Sequence, residues 1–95
     1  MTEAMYRAIL TKAGCEKGKD GVMTLPENRT LTFHLSNDGA QLSVARVVAL
    51  SLSDGVVTAE DHKGEVFLLS IEDIFAASIS GEGNSGGTRK AGFLG

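Results

Sequence analysis

Tryptophan is absent from this chain of 95 residues, and tyrosine and cysteine occur once each. With four phenylalanines as the other aromatic residues, the core has to be built from aliphatic side chains. The single cysteine, Cys15, excludes an internal disulfide, so nothing in the thiol content points to an oxidising compartment. The only proline is Pro26, inside a glycine-bearing connector. No apolar run approaches the roughly 20 residues needed to span a bilayer. The opening Met1-Thr2-Glu3 carries an acid with no unbroken apolar stretch behind it, unlike a signal peptide. The expectation is a soluble, intracellular, cytoplasmic protein without a membrane partner.

Positive charge is also scarce where most of the chain lies. Residues 30–80 hold two bases, Arg46 and Lys63, against seven acids. Residues 1–29 hold five bases (Arg7, Lys12, Lys17, Lys19, Arg29) against four acids. Phosphate backbones are gripped mainly by Lys and Arg, so the acidic stretch argues against a broad nucleic-acid surface there.

What is present is alternation. Leu31, Phe33 and Leu35 fall on every second position, then Leu42 and Val44, then Val48, Leu50 and Leu52, with turns at Asn37-Asp38-Gly39 and Asp54-Gly55. Only a pleated strand places every second side chain on one face, so the pattern predicts an antiparallel meander. The predicted strands are 30–36, 40–52, 55–61, 64–71 and 73–79. The second is long, and either bends strongly or breaks near Ala45-Arg46. Asp61-His62-Lys63-Gly64 is a turn. Val66–Leu69 is an unbroken apolar run, suited to burial on both faces or against a partner subunit. Ser70-Ile71-Glu72-Asp73 is a tight corner.

Before the strands, Met5, Ala8, Ile9 and Ala13 share a helical face that Tyr6 and Leu10 widen, which predicts a helix over 2–13 capped by Thr2 and stopped by Gly14. Residues 14–29 read as a connector with one short extended piece at Val22-Met23-Thr24. Six of the twelve glycines lie in 81–95, predicting a flexible tail. Residues 1–80 then form one domain. A domain so small buries only about 60–65% of its unfolded surface, a physical reason to expect assembly with copies of itself.

Two segments carry a resemblance. Leu31-Thr32-Phe33-His34-Leu35-Ser36-Asn37-Asp38-Gly39-Ala40-Gln41-Leu42 is similar to the opening hairpin of the Sm-like proteins. Glu65-Val66-Phe67-Leu68-Leu69-Ser70-Ile71-Glu72-Asp73-Ile74 is similar to that family's second motif, where an apolar strand turns sharply into a final strand led by Ile. The likeness covers about residues 30–79, and the helix by position. It implies a mainly β fold: an N-terminal helix, then a five-stranded, strongly bent antiparallel open barrel (Sm-like or SH3-like). It also implies a homo-oligomeric ring in which the fourth strand of one subunit pairs with the fifth of the next, and binding of single-stranded RNA. Three departures stand out. Val44 stands near the point where relatives place a bend-permitting glycine. Leu50-Ser51-Leu52-Ser53 occupies the stretch of the family's RNA-binding Asp and Asn, with Asp54 offset. Ser70-Ile71 replaces the basic pair of RNA-gripping relatives.

The resemblance therefore leads to a non-catalytic, oligomeric Sm-like protein that binds RNA as a ring. The contacts would come from Lys12, Lys17, Lys19 and Arg29 together with the loop residues Asn37, Asp38 and Ser70. The alternative is a protein-interaction or regulatory module with the same barrel and no nucleic acid, which the acidic strand region favours.

Other chemistry finds little support. His34 and His62 are the only histidines, without the three or four spaced ligands of a metal site. Cys15 follows a helix C-terminus, where the dipole disfavours a thiolate. Gly14-Cys15-Glu16-Lys17-Gly18-Lys19-Asp20 is too short for a phosphate loop and ends on the wrong residue. Glu72-Asp73 reads as a turn in which one acid accepts backbone N–H bonds. No nucleophile–base–acid set assembles from the sequence, so no enzyme and no cofactor are expected.

Overall fold

Thr2 starts the helix and Gly14 ends it, each by a specific bond. In a computed structural model that describes residues 1–18 and 20–81, α1 spans Glu3–Ala13. Thr2 stays extended, and its Oγ1 accepts the Met5 N–H at 3.1 Å. Gly14 turns left-handed at φ 76°, which brings its N–H to the Thr11 carbonyl and the Cys15 N–H to the Leu10 carbonyl, each at 3.1 Å. Tyr6 and Ala13 are buried, and Ile9 and Leu10 pack beside them. Among the described residues no helix is long and apolar enough to cross a membrane.

The connector contributes more than the expected extended piece. It holds two short strands, β1 (Glu16–Lys17) and β2 (Met23–Thr24), and β2 pairs onto a later strand, Met23 opposite Leu50. The main strands follow: β3 (Arg29–Asn37), β4 (Ala40–Ser53), β5 (Val56–Asp61), β6 (Val66–Ser70) and β7 (Ile74–Gly81), with a 3-10 turn at Ile71–Asp73 before β7. All pairings are antiparallel, and the main strands lie in the order β7-β3-β4-β5-β6. The fold is thus mainly β, a curled antiparallel half-barrel behind an N-terminal helix, as expected, with seven strands among the described residues rather than five. Asp38-Gly39 and Asp54-Gly55 join their strands with positive φ at both residues of each pair, the turn whose twist matches a hairpin.

Of the two alternatives for the long second strand, the bend is the one observed. β4 runs unbroken, but Leu31 faces Val47 while Phe33 faces Val44, so β4 carries one extra residue there. Arg46 absorbs the kink at φ 59°. The bend is made two residues beyond Val44, by an arginine in a conformation that costs an L-residue about 1–2 kcal/mol. Tertiary bonds hold it: the Arg46 carbonyl accepts the His62 N–H at 3.1 Å, and the Val48 carbonyl accepts the Leu25 N–H at 2.9 Å.

The concave face buries Leu31, Phe33, Val47, Leu50, Val57 and Ile74, with α1 and Leu25 packed against them. Alternation explains the set, since each of these positions falls on the inward side of its strand. The Val66–Leu69 run is buried on one face only: Leu69 points inward, whereas Val66 is 58% and Leu68 73% exposed. Gly81 closes β7 so tightly against Asn28 and Arg29 that a Cβ would overlap their backbone. The expected flexible tail lies otherwise outside the described residues.

Candidate functional site

The bases at the helix end do not all remain free. Lys12 sits exposed in the last turn of α1 and Lys17 exposed in β1, while Lys19 is outside the described residues. Arg29 opens β3, and its guanidinium donates to the carbonyls of Ala13 at 3.0 Å and Lys12 at 3.4 Å. It supplies a cation and donors to a helix C-terminus that has orphan acceptors.

Asn37 and Asp38 lie at the far end of β3. Eight extended residues at about 3.3 Å each separate Asn37 from Arg29 by up to roughly 26 Å. The Asn37 amide donates to Asp73 Oδ2 at 3.0 Å, so Asp73 takes a side-chain donor where backbone N–H groups were expected. Ser70 precedes the same 3-10 turn, and the Ile71 N–H donates to the Gly55 carbonyl at 2.9 Å. This corner therefore gathers Asn37 and Ser70 with the carboxylates of Asp54, Glu72 and Asp73. In one copy of the chain the basic group and the loop group form two separate surfaces, and the loop surface repels phosphate.

A second cluster lies on the convex face. His34 points outward from β3, half-buried, with Nδ1 3.1 Å from Ser43 Oγ and Nε2 2.9 Å from Ser78 Oγ. Register produces it. His34 faces Ser43 directly on β4 and Ala76 on β7, and Ser78 is the diagonal neighbour. A register shift after His34 inserts Phe75, whose ring lies 6.3 Å from the imidazole. A neutral imidazole donates from one nitrogen and accepts at the other, so one serine hydroxyl accepts and its counterpart donates. The outward neighbours Thr32, Ser36, Gln41 and Ser80 carry no charge. Sequence reasoning singled out His34 alone. Ser43 and Ser78 stand 9 and 44 positions away, and only the pairing of three strands joins them.

Elsewhere the polar groups serve the fold. Asp61 is buried, and its Oδ1 accepts the N–H groups of Lys63 and Glu65 at 2.9 Å each, closing the β5–β6 turn that holds His62. The Tyr6 hydroxyl is buried and finds no hydrogen-bond partner among the described residues. Burial first, and nearby Cys15 second, push its pKa up to about 12. Burial also raises the Cys15 thiol. Among the described residues no three His, Cys, Asp or Glu side chains gather to hold a metal ion. A depression between Val22, Ala49, Thr58, Glu60 and Val66 measures about 80 Å³, below the several hundred of a small-molecule pocket.

Large apolar side chains are exposed at Met5 on α1, Leu42 on β4 and Val56 on β5, and also on the two outer main strands. On β6, Val66 and Leu68 are exposed; on β7, Phe75 is 55% and Ile79 40% exposed. Compared with known proteins, the chain matches no family model, no curated protein and no solved structure.

Proposed function

We propose that this chain is a self-assembling, Sm-like protein-interaction module. Copies associate by pairing β6 of one with β7 of the next. The carrying observation is that these two strands end the order of the main strands and bear exposed apolar side chains, whereas the third edge, β1, is two residues long and charged. An open edge presents unpaired N–H and C=O groups, which proteins ordinarily blunt with charge, proline or a bulge. β6 carries no charged residue from Val66 to Ser70 and β7 none from Ile74 to Gly81, and the one bulge of β7, at Phe75, lies at its start and leaves Ala76–Gly81 regular. Two different edges meeting head to tail make a heterologous contact, which closes into a ring when the rotation per copy divides the circle.

A ring that binds single-stranded RNA is the second reading. It is favoured by the exposed Lys12 and Lys17, which flank the end of α1 in the chain and whose charge copies would add, while Arg29 is held by the helix carbonyls. Titration of uridine-rich and adenine-rich oligonucleotides at low and high salt separates the two. The module reading expects no binding at low salt. The RNA reading requires binding that weakens steeply as salt rises. The assembly common to both is read from the mass in solution.

A further inference from the structure

Ser78, His34 and Ser43 lie in a row across β7, β3 and β4. A nucleophilic hydroxyl needs a base within hydrogen-bond reach, and the base needs a third group that holds its ring. The row meets both conditions, with Nε2 2.9 Å from Ser78 Oγ and Nδ1 3.1 Å from Ser43 Oγ. We propose that Ser78 is an activated nucleophile that accepts the acyl group of an uncharged ester or thioester, with His34 as its general base and Ser43 as a positioning residue.

The roles follow from geometry. With the proton on Nδ1, the ring donates to Ser43 Oγ and turns its Nε2 lone pair to the Ser78 hydroxyl. Ser78 has the shorter contact and sits exposed on the outermost strand, so a donor reaches it from solvent. Its side chain stands on the convex face rather than in the plane of the sheet, and a neighbouring copy paired along the β7 backbone leaves it open. The uncharged outward neighbours select an uncharged donor, and the exposed ring of Phe75 beside His34 offers an apolar contact to the acyl chain.

The step balances on these atoms. The Ser78 Oγ–acyl bond forms as its proton passes to His34 Nε2. The bond from the acyl carbon to the leaving oxygen or sulfur breaks, and Nε2 returns the proton to the leaving group. Water then attacks the acyl-serine by the same route, releasing the carboxylic acid and restoring the Ser78 hydroxyl. Base assistance of this kind gives a factor of about 10² or more.

The test is labelling of the full chain with an uncharged alkyl fluorophosphonate, which forms a serine O–P bond and expels fluoride, followed by peptide mapping. Ser80, two positions along the same strand face and without a base, is the internal reference. Ser78 is expected to label about 10²-fold faster than Ser80. Ser78→Ala should abolish the mark, and His34→Gln, which keeps an amide beside the serines, should reduce Ser78 to the rate of Ser80. Ser43→Ala should slow labelling and Ser43→Thr, which restores a hydroxyl, should recover it, with circular dichroism unchanged throughout. Equal rates at Ser78 and Ser80, full labelling in His34→Gln, or a mark on Ser43 in place of Ser78 would each overturn the proposal. The covalent mark is read residue by residue, so its failure leaves the assembly proposal standing.

Discussion

The Arg29 guanidinium, at the first residue of β3, donates to the Ala13 carbonyl at 3.0 Å and so closes the end of a helix sixteen residues earlier in the chain. A charge-assisted bond to an orphan carbonyl contributes about 1.5–3 kcal/mol, toward the low end when partly solvated. Arg29→Ala should therefore lower the urea midpoint by the equivalent of about 1–2 kcal/mol. An unchanged midpoint would return Arg29 to the pool of bases available to a ligand.

Arg46 makes the opposite prediction. Its positive φ is imposed by the bulge in β4, and glycine adopts that backbone without the steric cost. Arg46→Gly is expected to raise stability by about 1 kcal/mol, and Arg46→Val to lower it by more, because a β-branched side chain tolerates that region worst. Thermal midpoints of the two variants and the parent decide it. A destabilised glycine variant would mean that the arginine side chain contributes more than its backbone strain costs.

Asp61 holds two backbone N–H groups in the β5–β6 turn. Asp61→Ala leaves both without their acceptor in a half-buried place, a loss of about 2–3 kcal/mol by denaturant titration. Asp61→Asn, which retains a carbonyl oxygen, should lose less. Equal losses in the two variants would show that the charge, not the oxygen, holds the turn.

Tyr6 links burial to alkaline stability. Its pKa is raised from 10 to about 12, chiefly by desolvation. The folded chain thus holds the phenolic proton more tightly than the unfolded chain. That contribution is complete below about pH 10 and disappears as the pH climbs toward 12. The parent should lose stability over this window faster than Tyr6→Phe, compared by urea midpoints at pH 9, 10 and 11. At neutral pH Tyr6→Phe should be neutral or slightly stabilised, because it removes an unpartnered buried hydroxyl. Parallel alkaline losses would contradict this assignment.

The strands were legible because their period is local. Leu31, Phe33 and Leu35 announce one buried face without reference to any distant residue, and Thr2 and Gly14 mark the helix by the backbone each can adopt. What stayed hidden depends on long-range pairing. The extended piece at Met23-Thr24 was legible, but the two-residue β1 has no period to read and exists because β2, itself paired to Leu50 and Ala49, offers it an edge. Nothing in Ala45-Arg46-Val47 signals a left-handed arginine, since the bend is held by bonds from Leu25 and His62. Arg29 reads as a free base until the helix end is seen beside it. His34 reads as a lone surface histidine until register sets Ser43 and Ser78 against its two nitrogens.

Assembly is most directly tested at the outer edge of β6. Light scattering should find the full chain as a closed oligomer, on the order of six or seven copies if the ring implied by the Sm-like resemblance forms. Leu68→Lys places a charge on that edge, at a side chain already 73% exposed in the single copy, and should yield a folded monomer. A parent chain that runs as one or two copies, or a Leu68→Lys variant that assembles as the parent does, would contradict the account.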